Sequence, residues 1–246
     1  MSSEAYLDAA AEGLRRLRET QLDAIDRAAE TIADAVVGGR KVLAFGATHS
    51  FIIAMELVYR TGGLMLVSPI YPHGMDLGVR PMTLTSQLER IPGLGRALLE
   101  NSPAAKGDVL IIASTSGRNP AAIDMAIGAR EAGVTTIAVT SMAYTKSVDS
   151  RHPSGRKLFE LCDQVIDNCA PAGDAAVEVP GFPQKTGPLS TVLGCAAVNA
   201  VIAQVVRNLV DRGVTPHVFV SANLPGGDEH NQDLLRENRD RIFYLD

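Results

Sequence analysis

The chain has 246 residues, 46% of them apolar, and a formal net charge of −5. That length suits one large α/β domain or two small ones, and the apolar share excludes a disordered chain. The acidic balance argues against a nucleic-acid binder, which needs a basic face to displace counterions.

From Glu4 to Val37 the pattern is helical, with Leu7, Ala10, Leu14, Leu17, Ile25, Ala28, Ile32 and Ala35 at three- and four-residue spacing before Gly38-Gly39. So long an amphipathic helix has an apolar stripe to cover, against its own domain or a second subunit. Lys41–Phe45 reads as a buried strand that ends at Gly46 and feeds a helix from Ser50 to Arg60; Leu64–Val67 is a second apolar run. Ser68–Gly95 is rich in Pro and Gly without a strong period, and a connection this long is either functional or partly helical. Val109–Ala113, Asn119–Ala132 and Thr135–Val139 read as strand, helix, strand, which implies parallel neighbours joined by a right-handed crossover. Val165-Ile166 predicts another strand, Pro188–Asp211 a long helix, Val218–Val220 a short apolar run and Asp228–Arg241 a charged closing helix.

Leu189–Val210 is the most apolar long stretch. Ser190, Thr191, Asn199, Gln204, Arg207 and Asn208 interrupt it, so it reads as a buried helix rather than a membrane span. Near Met1 no basic stretch precedes an apolar run, so no secretory signal is expected. Cys162, Cys169 and Cys195 form neither a Cys-x-x-Cys pair nor a zinc spacing; they are expected to be packed thiols in a reducing cytoplasm. His73, His152 and His217 have no partners at ligand spacing, so neither a metal nor a cofactor is expected.

The alternation predicts an α/β fold: a three-layer α/β/α sandwich with a mostly parallel central sheet, an N-terminal helical extension and a C-terminal helical arm. One domain over 1–246 is expected, with its first helix at 4–38, its core at 39–170 and C-terminal helices at 171–246. In such sheets ligands bind beyond the carboxyl ends of the strands, where the loops after Phe45 and Ala113 fall.

Ser114-Thr115-Ser116-Gly117-Arg118-Asn119 offers three hydroxyls and several backbone amides between a strand and a helix. Asn119-Pro120 is a good helix entry, so the first-turn amides and the positive end of the helix dipole would face a group in the loop. A phosphate fits; so does a polar turn that only caps the helix. Gly46-Ala47-Thr48-His49-Ser50 repeats the arrangement one unit earlier. It has a single glycine where a dinucleotide fingerprint needs three, and no nucleoside-triphosphate loop occurs.

Together these loops resemble the SIS (sugar isomerase) domain family, whose members carry Gly-x-Gly-x-Ser and Ser-x-Ser-Gly-x-Thr/Ser after two strands. The resemblance covers roughly Thr31 to Ala170. Thr48 replaces the second glycine and Asn119 the usual hydroxyl. The tail from Lys185-Thr186-Gly187-Pro188 through Ser221–Asn231 is similar to a narrower, largely uncharacterised subgroup that resembles phosphosugar isomerases. The family resemblance implies that Ser114, Ser116 and Asn119 bind a sugar phosphate, with Ser50 nearby. Aldose–ketose isomerisation needs a base to move a proton between adjacent carbons and an acid to open the ring or polarise the carbonyl. Related isomerases use acidic or histidine residues on the helix after the first loop, which points to Glu56 as base, with His49 or His230 as acid. Lys185, in a Pro/Gly-rich stretch beside Glu178, could close over the site and neutralise phosphate. The expected function is therefore binding of a phosphorylated sugar and its isomerisation by proton transfer. The alternatives are a non-catalytic phosphosugar sensor and a phosphosugar lyase or etherase. A homodimer or dimer of dimers is expected, with neither nucleic acid nor membrane as partner.

Overall fold

The computed structural model describes residues 1–245. In chain order it contains α1 (Ser2–Thr20), α2 (Leu22–Val37), β1 (Val42–Gly46), α3 (Ser50–Met55), β2 (Val67–Pro69), α4 (Thr83–Leu88), α5 (Leu94–Glu100), β3 (Val109–Ala113) and α6 (Pro120–Ala132). There follow β4 (Thr135–Thr140), α7 (Met142–Lys146), β5 (Gln164–Asp167), β6 (Ala175–Val177), β7 (Thr186–Pro188), α8 (Ser190–Asp211) and α9 (Gly227–Glu237).

Five strands form one parallel sheet in the order β2-β1-β3-β4-β5. Every residue of β1 and β3 is buried, as expected for strands covered on both faces. Alternate side chains then serve two cores. Val42, Ala44, Val109 and Ile111 pack with Ile32, Ile53 and Val201 of α2, α3 and α8. Leu43, Phe45, Leu110 and Ile112 pack with Leu99, Ala122 and Met125 of α5 and α6. The expected three layers are present.

Four local features differ from the sequence reading. The opening helix is two, because Gln21 breaks it: its side-chain Oε1 accepts from the Asp167 amide (3.0 Å). The break swings α1 towards α8, where Gly13 lies against Leu193. The helix after the first loop ends at Met55, not Arg60, whereas the aperiodic 68–95 segment is partly helical, one of the two expectations for it, with α4 inside it and α5 beginning at its end. The Pro/Gly-rich 175–188 stretch closes as an antiparallel hairpin, β6–β7, that the sequence did not signal. Finally α9 stops at Glu237, where buried Asn238 turns to hydrogen-bond His217.

Helix α8 is long and apolar enough by composition to cross a membrane, yet its Ala197, Val198, Val201, Ile202 and Val205 stripe is buried in the core. The thiols are free; burial pushes Cys162 up to about 12 and Cys195 up to about 11, so neither presents a reactive thiolate.

Candidate functional site

Between the carboxyl ends of β1 and β3 the chain leaves the sheet in opposite directions, and a cleft of about 350 Å³ opens there. One wall is Ser114–Asn119. Three of its carbonyls are tied down: Thr115 O accepts from the Ser141 amide (3.0 Å), Gly117 O from Leu158 (2.9 Å) and Arg118 O from Arg151 (2.9 Å). The amides of residues 115–119 have no acceptor among the described residues. Gly117 makes the turn at φ +58, where a Cβ would press on the Thr140 and Thr145 hydroxyls. Asn119, extended at φ −88 and ψ 143, then enters α6 with Pro120 in its first turn. A run of unsatisfied amides beside hydroxyls and a helix N-terminus is an anion-binding concavity.

The second wall is Ala47–Ser50. Gly46 has no room for a side chain, because a Cβ would collide with the Ser50 carbonyl folded back over it. Thr48 sits at φ +54, the left-handed conformation that a glycine at this position would adopt without cost, and its amide donates to Met75 O (2.6 Å). His49 and Ser50 face the cleft. The floor and far side come from Tyr144 and from Ser190 and Thr191 at the start of α8. Asp174 fixes that start: Oδ1 accepts from the Leu189 and Ser190 amides (3.0 and 2.7 Å) and Oδ2 from the Ser190 hydroxyl (2.8 Å).

Three titratable residues of the cleft, Glu89, Tyr144 and Asp174, were not chosen as site residues from the sequence. Glu89, just after α4, is held there by its own carbonyl, which accepts from the Ala121 amide (3.1 Å). Burial raises its carboxyl above the ordinary 4.5, while the Asn119 side chain and the charges of Arg90 and Arg151 pull the other way.

Of the residues chosen from sequence, the cleft brings together His49, Ser50, Ser114, Ser116 and Asn119. Three lie elsewhere. Glu56 caps the C-terminus of α3 and is turned away, ion-paired to Arg60 and accepting from Asn199 Nδ2 (2.7 Å). Lys185 is paired with Glu178 (3.0 Å) in the hairpin, and His230 is an exposed residue of α9. No group of three potential metal ligands occurs among the described residues.

This parallel sheet, with a hydroxyl-rich loop after one strand and a tight glycine turn after its neighbour, defines an SIS-type α/β fold. The chain belongs to the SIS domain family, which its residues 5–141 match. The match starts earlier and ends sooner than the motifs alone indicate, taking in both opening helices. Within that family it belongs with the UPF0309 proteins. It is 43% identical over 242 residues to one from Shouchella clausii, covering 98% of each chain. It is 42% identical over 240 residues to another from Streptomyces coelicolor, covering 97% of this chain and 96% of that one. Solved phosphoheptose isomerases share the fold at 15% identity. That of Francisella tularensis superposes with a TM-score of 0.52 over 83% of this chain and 96% of its own. That of Neisseria gonorrhoeae does so at 0.52 over 85% and 97%.

Proposed function

We propose that the chain binds a phosphorylated sugar in this cleft and isomerises it by proton transfer. The observation that carries the reading is the convergence of the free 115–119 amides, the Ser114 and Ser116 hydroxyls and the α6 N-terminus on a cleft that also holds the half-buried carboxylate of Glu89, the cleft's other carboxylate, Asp174, being engaged by the start of α8. The phosphate takes the amides, and the sugar carbons extend towards Glu89 and His49. Glu89 removes the proton from the carbon next to the carbonyl and leaves an enediolate. The same group returns that proton to the former carbonyl carbon, while His49 carries a proton from one oxygen to the other, so no atom is gained or lost. A carboxylate raised by burial is a better base near neutrality than Glu56, which is committed to Arg60 and Asn199.

The test is a binding screen of hexose, pentose, heptose and amino-sugar phosphates, followed by incubation of each binder in deuterated water. Deuterium appearing at the carbon beside the carbonyl supports proton transfer; binding with no exchange overturns the isomerase reading. Ser116→Ala removes a hydrogen bond to a charged group, worth about 1.5–3 kcal/mol, and should weaken binding roughly ten- to a hundredfold with the fold intact. Unchanged affinity in a titration would remove the phosphate from this loop.

A further inference from the structure

Among the described residues the lining of the cleft includes no lysine or arginine, yet three arginines stand near one another beside the lining residues Asn119 and Glu89. Arg151 donates from Nη1 to Asn119 Oδ1 (3.0 Å) and from its backbone amide to Arg118 O (2.9 Å). Arg118 belongs to the anion loop itself, and its buried Nε meets no acceptor. Arg90 follows Glu89, whose carbonyl is anchored to α6. None of the three has a carboxylate within salt-bridge distance among the described residues. They repel one another: burial and then the charges of Arg118 and Arg90 hold the Arg151 guanidinium below its usual range, against the opposing pull of Glu89 and Tyr144. In a chain with net charge −5, three mutually repelling guanidiniums with Glu89 as the carboxylate acting on them make a site that a bound anion would complete.

We propose that Arg90, Arg118 and Arg151 form a second anion subsite, and that the substrate is a phosphorylated sugar bearing a further carboxylate or phosphate. The inference rests on the phosphosugar reading of the cleft. The amides of 115–119 hold the first phosphate without side-chain charge. The planar guanidiniums beside Asn119 and Glu89 then take the second anionic group, for which forked donors are suited. Arg151 spends one of its five donors on Asn119 and keeps the others for ligand.

Isothermal titration of the intact protein tests this with glucose, mannose and ribose phosphates, each set beside its own aldonate phosphate and its own bisphosphate. For at least one sugar, a doubly anionic form should bind about tenfold or more tightly than the monophosphate. Whether the aldonate or the bisphosphate gains identifies the second group. That advantage should vanish in the Arg90→Met/Arg151→Met double variant and persist in Arg151→Lys, which keeps the charge. Ser116→Ala should weaken every binder alike. Equal affinity for singly and doubly anionic forms, or an advantage that survives the double variant, overturns the subsite while leaving the phosphate loop standing. Failure of every sugar phosphate to bind overturns the cleft reading, and the subsite with it.

Discussion

Glu56 and Glu89 have the same side chain and differ only in what surrounds them. At Glu56 a guanidinium and an amide already use the carboxylate; at Glu89 burial leaves it above its ordinary 4.5 with the cleft before it. Glu89→Gln keeps the shape, and once a substrate is known it should lower turnover by about two to four powers of ten with little change in binding. The same substitution has a stability signature. A raised carboxyl means that the folded state holds its proton more tightly than the unfolded chain. Its contribution is complete below 4.5 and is lost as pH rises through the folded value. The Tm of Glu89→Gln minus that of the parent should therefore grow between pH 4 and pH 7; a constant gap would show that Glu89 is not buried as described. Thr48 gives a second test. A β-branched residue at φ +54 costs about 1–2 kcal/mol, so Thr48→Gly should gain stability of up to about 1 kcal/mol after the added chain entropy of glycine, read from the denaturant midpoint. The motif loops were legible residue by residue because tight turns and helix entries demand particular side chains. Glu89 was not, since it lies in an aperiodic segment and reaches the cleft only through a backbone bond to a residue more than thirty positions away.

At the scale of elements, β1, β3, β4, β5, α6 and α8 were readable because each is a buried run or a periodic stripe bounded by turn residues. What escaped was geometry set by contact between distant parts. Gln21 breaks the opening helix because the end of β5 holds its side chain, and nothing in the local pattern of α1 and α2 announces that partner. The β6–β7 hairpin is too short and too rich in Pro and Gly to show a strand period, but it delivers Asp174 to the start of α8. Three donors depend on that carboxylate. Asp174→Ala should cost about 1–3 kcal/mol and loosen the far wall of the cleft, so that ligand affinity falls together with Tm. A Tm loss with affinity unchanged would separate α8 from the site.

For the whole molecule, the apolar stripe of the opening helices finds only partial cover. In α1 just Gly13 and Leu17 are buried, while Leu7 is 66% and Leu14 42% exposed; on α8, Val192 is 43% exposed. Closed symmetric pairs are the commonest way to bury such a surface. A dimer or a dimer of dimers is the expected result of light scattering at micromolar concentration, and Leu7→Glu/Leu14→Glu should shift it towards monomer. A monomeric parent would mean that these leucines stay in water.

The anchored carbonyls of the 115–118 turn have a further practical consequence. Because β4 and the segment around Arg151 and Leu158 set its shape, the loop needs no ligand to hold it. Its five amides have no acceptor among the described residues, so in the empty state they should trade hydrogen for deuterium faster than the buried, hydrogen-bonded strand just before them. An anion seated on them supplies the missing acceptors. A short peptic fragment spanning β3 and the turn thus becomes a label-free gauge of occupancy: the right sugar phosphate would be recognised by slowed exchange at 115–119 before any product had been sought.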